Sequence, residues 1–543
     1  MIAAGSSIRL RGHALALGML LCTAVGPLSH ADEAMLEAGR RIYMDGILPS
    51  GEPLTAEVIR DVRVVGDQVI CGKCHRKSGL GASEGQEVVP PVVGEILFNP
   101  LQLPTSKPPE PPVLRPAYTR AGLVAAIRDG IGADGEPLDV LMPRYPLSDE
   151  DMESLIGYLE SLNLEPDPGV TPEEIHFATI VTDDAAPAAA QAMLAVMDAY
   201  IQQKNTETRN ESQRAASGVW HKDWEFKPYR KWVLHTWELA GPRATWPDQL
   251  ERLYAGLPVF AVLNGISGGS WQPIHEFCER KRLPCLFPTT DLPVDDESFY
   301  SMYFSRGVLV EAEAAAEDLH AASADAVVQL YDPGDSRSMA AADAFERAYG
   351  STVQRVSLAE AANAGATWSG EATAAAVWLD ADGLAQLAAG PGVQDSLRAV
   401  YLSGALLGGD YASVDPSLKV RARIAYSAEL PDARATLLAR STGWLRVRRV
   451  IDNAWPVEQA NAYFTLKSAG SSLVRIGGYF KRDYFLENFE HMMDNASYTS
   501  IYPRMSLAPG QRFVSKGAVL AVFDADDDAA LTAVSEWQVP GQR

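Results

Sequence analysis

Basic side chains are in short supply: Lys and Arg number 47 against 70 Asp and Glu in 543 residues, a net charge of −23. Nucleic acid and anionic membrane surfaces recruit the opposite sign, so neither is expected as a partner. Cysteine is scarce too, with five in the chain, which excludes a small scaffold built on disulfides. No stretch beyond residue 31 reaches the roughly 18 consecutive apolar residues of a membrane-spanning helix. What remains, 47% hydrophobic and 22% charged residues, is the balance of a folded globular protein and excludes a disordered one. At about 150 residues per domain, the length predicts three or four domains.

The first 31 residues read as an address. Arg9 and Arg11 precede an apolar run from Ala14 to Val25, and Ser29-His30-Ala31 brings small residues to a cleavage point. That is the layout of a secretory signal peptide. Cys22 follows Leu21 rather than a small residue, which argues against lipid attachment. The expected product is exported to the periplasm with no membrane anchor after cleavage.

Two of the remaining cysteines carry the chemistry. Cys71-Gly72-Lys73-Cys74-His75 is the C-x-x-C-H pattern of covalent haem attachment. Thiols three positions apart can each reach one vinyl group of a porphyrin, and the adjacent imidazole is delivered to the iron. A zinc site would need a second ligand pair, and none follows within a hundred residues. A thioredoxin-like redox pair would need a βαβ context, which is absent. Upstream, Ala34–Tyr43 reads as a helix start. Downstream, Ser148-Asp149-Glu150-Asp151 is a capping box opening a helix to Leu162, with Met152, Leu155, Ile156, Leu159 and Leu162 on one face. Leu141-Met142-Pro143 lies in the loop before it.

Residues 34 to 165 together resemble the class I c-type cytochromes, including the spacing of Gly39 and Tyr43 in the N-terminal helix. The resemblance implies a small all-α domain at 32–165 with one covalent haem c bound by Cys71 and Cys74. It makes His75 the proximal ligand of the iron and Met142 the distal one. It also implies that a proline carbonyl soon after the motif accepts the histidine's ring N–H, with Pro90 and Pro91 as candidates. Imidazole plus thioether closes both axial positions and favours electron transfer over oxygen chemistry. His75 is the sole histidine between residues 31 and 175, so a second imidazole ligand is not expected. Met35, Met44 and Met152 fall on predicted helices and read as packing residues. Nine prolines between residues 89 and 116 predict an extended, semi-rigid spacer.

Residues 163–169 are polar and turn-rich, and a linker is placed at 166–173. Beyond it, apolar strand runs alternate with helical patterns. Expected strands are Ile175–Val181, Lys231–Leu239, Val259–Leu263, Cys285–Phe287, Val327–Tyr331, Ala375–Leu379 and Val400–Leu402. Expected helices run to Lys204, over Trp246–Tyr254 and Gln272–Arg282, and to Tyr349. Alternation at this spacing predicts parallel sheets, and the length of 174–543 predicts two α/β lobes. Of the eleven tryptophans, six lie between Trp220 and Trp271. Trp232 and Trp237 read as core, whereas Trp220 and Trp224 fall in a polar loop.

With Glu238 at a strand end, Gly265-Ile266-Ser267-Gly268-Gly269-Ser270 after Val259–Asn264, Pro288-Thr289-Thr290-Asp291, Tyr303-Phe304-Ser305-Arg306 and Leu330-Tyr331-Asp332-Pro333-Gly334, this half resembles the type I periplasmic solute-binding proteins of the branched-chain amino-acid group. The resemblance implies a small carboxylate or amino-acid-like ligand between the lobes, held by Ser267, Ser270, Thr289 and Thr290, with Tyr331 from the second lobe. No acidic contact for a ligand amine is placed. The alternative is that these are ordinary caps in a module without a ligand. Gly265–Gly269 also matches the G-x-S-x-G of hydrolases, but His275, His320 and His491 all lie in helix-like surroundings, so a triad is not expected. Cys278 and Cys285, left over in an oxidising compartment, are expected to form a disulfide, with two buried thiols as the alternative.

The reading is of an electron-transfer protein rather than an enzyme: an exported monohaem cytochrome fused to a solute-binding-like module. Its expected redox partner is a periplasmic dehydrogenase or oxidase. The alternative is a redox-linked ligand sensor or binding protein. Intact-mass spectrometry of the exported chain should show the added mass of one haem, and Cys71→Ser combined with Cys74→Ser should abolish it.

Overall fold

The structure, a computed structural model, describes residues 30–543 except 59–61, 85–86, 103–113, 210–228, 297, 323–325, 351–352, 365–368, 389–396, 410, 412–413, 494–499, 525–529 and 542–543. The body of the signal peptide, the centre of the proline-rich stretch, and Trp220 and Trp224 lie outside the described residues. The chain divides into two compact units. One runs to His75 and resumes at Gly81–Asn163; the other comprises Arg76–Leu80 and Leu164–Arg543. Residues 166–173 are thus counted with the second unit, where the Asp167 N–H donates to the Phe480 carbonyl at 2.9 Å.

The first unit is built on α1 (His30–Asp45), α2 (Cys71–His75), α3 (Gly94–Leu97), α4 (Arg120–Arg128) and α5 (Asp149–Ser161). Ser148 caps α5, its Oγ accepting the Asp151 N–H at 3.1 Å. The apolar face of α5 (Met152, Leu155, Ile156 and Leu159) is buried with Ile42 and Tyr43 of α1, and with Leu123 and Ile127 of α4. Each such side chain removed from water contributes about 1.5–3 kcal/mol. The two terminal helices meet at Gly39: a Cβ there would lie 2.0 Å from the Ser154 carbonyl oxygen. Only a glycine lets the backbones approach this closely.

The unit is not purely helical, which corrects the all-α expectation. It also holds three antiparallel pairs: β1 (Thr55–Val58) with β2 (Val62–Val65), β3 (Ala82–Glu84) with β4 (Glu87–Val89), and β5 (Leu101–Gln102) with β6 (Leu114–Arg115). Valine-rich stretches such as Val62–Val65 prefer extended backbone because χ1 is restricted in helices.

The second unit has two lobes. In the first, the sheet order is β11-β10-β9-β7-β8, with β7 (Glu174–Thr182), β8 (Lys231–Leu239), β9 (Ala261–Leu263), β10 (Cys285–Leu286) and β11 (Ser301–Met302). All of its pairings are parallel. The helices α6 (Pro187–Thr208), α7 (Trp246–Gly256) and α8 (Gln272–Lys281) connect these strands and cover both faces, as parallel sheets require. Trp232 and Trp237 fall in the cores on opposite faces.

The chain enters the second lobe through α9 (Val308–Ala321) and continues as β12 (Val327–Tyr331), α10 (Ser336–Tyr349), β13 (Gln354–Ser357), α11 (Leu358–Ala364), β14 (Ala374–Trp378), α12 (Ala381–Ala388), β15 (Ala399–Ser403), α13 (Gly404–Leu407), α14 (Pro416–Lys419) and β16 (Ala422–Tyr426). It then returns to the first lobe with α15 (Pro431–Arg448), α16 (Pro456–Arg475) and α17 (Arg482–Met493), whose Leu445, Phe464 and Phe485 join the core around Phe177. Finally it crosses back to β17 (Val519–Phe523) and β18 (Leu531–Ala533). The second sheet, β13-β12-β14-β15-β16-β17-β18, departs from the all-parallel expectation. β17, which arrives from the other lobe without a helical crossover from β16, pairs antiparallel with it, and β18 folds back antiparallel on β17 as the next strand in sequence.

Three buried ionisable side chains secure the second unit. Arg482 is 5% exposed and donates to the carbonyls of Pro168, Val259, Phe260, Lys281 and Arg282 and to the Tyr254 hydroxyl. It satisfies loop-end acceptors that burial would otherwise strand. Glu311 of α9 accepts from Ser403 Oγ, Ala405 N, Ser427 N and Ser427 Oγ, tying β15 and β16 to that helix.

Glu487 of α17 accepts from the Ser78 N–H at 2.9 Å and the Ser78 hydroxyl at 2.6 Å. Burial pushes its carboxyl from 4.5 up to about 8, against the opposing pull of Ser78. A raised carboxyl favours the fold while protonated, so its stabilisation is complete below 4.5 and is lost as pH rises through about 8. Melting temperatures of wild type and Glu487→Gln should therefore diverge over that window, with the variant losing less stability towards alkaline pH.

Candidate functional site

In the first unit, the pentapeptide motif forms the single short helix α2. The His75 Nδ1–H donates to the Pro90 carbonyl oxygen at 2.9 Å, and the side chain is buried, 8% exposed. Burial lowers the imidazole pKa, with the Pro90 bond opposing. The ring is therefore held neutral with its Nε2 lone pair uncommitted by that bond. The local cause is the hairpin β3/β4, which pairs Ala82 with Val89 and brings the next residue, Pro90, back to His75. Gly81 starts it at φ +76°, where a Cβ would lie 2.1 Å from the Val89 carbonyl oxygen. The Gly81 N–H also donates to the His75 carbonyl at 3.0 Å.

Cys71 and Cys74 form no disulfide. Burial pushes the Cys71 thiol up to about 11, with the Tyr145 hydroxyl pulling the other way. Tyr145 is itself 2% exposed, and its hydroxyl donates to the Val69 carbonyl at 2.9 Å, just ahead of the motif. Met142 packs half-buried on the same core as Cys71. Its loop is held by its own polar groups: the Leu141 N–H on Asp139 Oδ1 at 2.8 Å, and the Arg144 guanidinium on the Met142 and Leu138 carbonyls. Val140 and Leu141 beside it are exposed.

In the second unit, the loops after β7, β9 and β10 come together at the strand C-terminal ends, where open α/β sheets place ligands. Two left-handed residues shape them, Asn264 at φ +55° and Phe287 at φ +54°. Asparagine tolerates that region, whereas phenylalanine there is strained by about 1–3 kcal/mol. The strain is offset by burying the Phe287 ring against Phe304, Phe464 and Phe489, at 5.0, 5.5 and 5.9 Å. Asn264 Nδ2 donates to the Phe287 carbonyl at 2.9 Å, linking the two turns.

Ser267, Thr289 and Thr290 are brought close, since Ile266 bridges Thr289 and the Thr290 hydroxyl donates to the Gly269 carbonyl at 3.2 Å. Their hydroxyls, however, are engaged within the protein. Thr289 Oγ1 accepts from Asn461 Nδ2 at 3.2 Å. Ser270 Oγ accepts the Gln272 N–H at 3.3 Å, at the start of α8. Ser267 Oγ lies 3.4 Å from Asp184 Oδ1. Tyr331 ends β12 in the other lobe, half-buried on that lobe's core. The lobes are joined near these loops by an ion pair, Arg337 to Asp291 at 3.3 Å.

Asp184, Arg243, Asn461 and Arg337 were not singled out from the sequence. Asp184 lies in an unremarkable Asp-Asp turn after a strand, and Asn461 comes from α16, nearly two hundred residues beyond Ser267, so neither carries a local signal. For the hydrolase reading, the named partners of Ser267 include no histidine. His275, His320 and His491 sit in α8, α9 and α17, and His275 Nδ1 pairs with the Tyr303 hydroxyl at 2.8 Å. Cys278 and Cys285 are joined, with Cα atoms 6.3 Å apart.

The second unit is thus a two-lobed α/β module crossed three times by the chain. No protein-family model matches the chain, and no curated protein does. Solved structures similar to it include the leucine-binding protein LivK of Thermotoga maritima, 12% identical, covering 66% of this chain and 98% of that one with a TM-score of 0.45. A branched-chain amino acid ABC transporter protein of Thermus thermophilus with bound valine is 11% identical, covering 68% and 98%, at 0.48. An ABC transporter solute-binding protein of R. palustris in complex with benzoate is 10% identical, covering 68% and 97%, at 0.46.

Removing the Tyr145 hydroxyl leaves the Val69 carbonyl without its buried donor. Tyr145→Phe should destabilise the first unit by about 1 kcal/mol, read as a lower denaturation midpoint with an unchanged m-value.

Proposed function

We propose that this chain is an exported, haem-bearing binding protein: its first unit is a class I c-type cytochrome domain with one covalent haem, and its second is a solute-binding-type module. The observation that carries this reading is the hydrogen bond from His75 to Pro90. It orients the imidazole, fixes the Nδ1–H tautomer and leaves Nε2 available for iron, the outer-shell arrangement that metal-ligating histidines need, while burial keeps the ring neutral. The thiols of Cys71 and Cys74 would hold the porphyrin, His75 would be the proximal ligand, and Met142 the distal one. A haem held in this way supplies reversible exchange of one electron.

The chain's own residues do the rest. Pro90 fixes the tautomer of His75, Tyr145 orders the backbone entering the motif, and Arg144 and Asp139 hold the Met142 loop. The acidic surface favours a donor or acceptor with a basic docking face, such as a periplasmic dehydrogenase or oxidase. Encounter with it should slow as salt is added. In the second unit, the loops that meet at the ends of β7, β9 and β10, linked to the other lobe through Asp291 and Arg337, support a small solute as ligand.

A reduced-minus-oxidised spectrum of the exported protein tests the haem assignment. Wild type should carry the methionine–iron charge-transfer absorption, and Met142→Ala should lose it while retaining covalent haem. A spectrum unchanged in the variant would remove Met142 from the ligand set.

A further inference from the structure

We propose that Asp184 is a built-in occupant of the anion-receiving loop of the first lobe, and that it restricts the module to solutes without a free carboxylate. The inference rests on reading the second unit as a solute-binding module. It also alters the expectation for that module, because Ser267 and its neighbours were expected to hold a ligand carboxylate.

A carboxylate is already there. Asp184 Oδ1 accepts the Gly268 N–H at 3.0 Å and the Thr182 hydroxyl, and lies 3.4 Å from Ser267 Oγ. Its other oxygen is paired with Arg243. The loop is shaped around this pair. A Cβ on Gly268 would lie 2.3 Å from the Asp184 carbonyl oxygen, and one on Gly269 would lie 1.8 Å from the Arg243 guanidinium. Gly268 therefore lets the loop approach the backbone of Asp184, and Gly269 leaves the Arg243 guanidinium its present place beside that residue. The bonds from Thr182, Arg243 and Gly268 outweigh partial burial and keep the Asp184 carboxyl below its ordinary pKa, so it is ionised at neutral pH. The Thr290 hydroxyl donates to the Gly269 carbonyl, whereas those of Thr289 and Ser270 accept from Asn461 and the Gln272 N–H, so hydroxyl protons remain near the loop, but its Gly268 N–H and its Arg243 charge are taken by Asp184. A second carboxylate at this loop would share it with a like charge, and neither would be stabilised.

The test uses the full haem-loaded chain as wild type, Asp184→Asn and Asp184→Ala, each titrated with acetate, L-leucine and benzoate, followed by thermal shift and calorimetry. Asp184→Asn is nearly isosteric and keeps an acceptor for Gly268, so it separates loss of charge from loss of fold. None of the three carboxylates should bind wild type. At least one should bind Asp184→Ala with a gain of about tenfold or more, with Asp184→Asn between them. If wild type binds one of them and Asp184→Ala binds it no better, the proposal falls while the solute-binding reading stands. If the variants bind no carboxylate the proposal also falls, and if a parallel panel of amines and neutral amides is silent as well, the solute-binding reading falls with it.

Discussion

The first unit depends on where one imidazole proton goes. A histidine able to ligate a metal through Nε2 has to give its Nδ1 proton to a fixed acceptor, because a freely rotating or charged ring presents no lone pair in a defined direction. Here the acceptor is the carbonyl of Pro90, fifteen residues after His75, and much of the surrounding structure serves to bring it there. Gly81 permits the close turn, the β3/β4 hairpin returns the chain, and the crossing of α1 and α5 at Gly39 makes the core against which the motif packs. Burial of His75 then lowers its pKa against the pull of that bond, so the apolar surroundings select the neutral ring and the hydrogen bond selects its tautomer.

In the second unit the governing rule is that buried polar groups must be satisfied. The same donors and acceptors that would bind a solute are available to the protein itself, and several have been taken. Asn461 reaches across from α16 to Thr289, and Thr290 turns back on Gly269. Asp184 accepts the backbone N–H of Gly268. Left-handed Asn264 and Phe287 set the path of the two loops, and the aromatic cluster around Phe287 holds the strained residue in place. The chemistry of the loops therefore differs from what a list of their hydroxyl-bearing residues implies.

Much of the fold was legible because its signals are local. The period of α5 and its Ser148 cap, the apolar runs of β7 and β8, and the alternation of strand with helix all lie within short windows of sequence. The antiparallel pairs of the first unit were missed because each strand is only two to four residues long, too short for a period to register. The antiparallel β17 was missed for another reason: its place beside β16 follows from a third crossing between lobes, which no local window contains.

The sequence by itself determined the C-x-x-C-H pentapeptide, the pattern of the first 31 residues, the acidic balance and the order of helices and strands. Each of these is written in residue type and spacing along the chain. Only the tertiary structure chose Pro90 over Pro91 as the partner of His75, joined Cys278 to Cys285 and set Asp184 on Gly268. Those choices depend on distances between segments up to 84 residues apart, and such distances exist only once the turns and cores between them have formed.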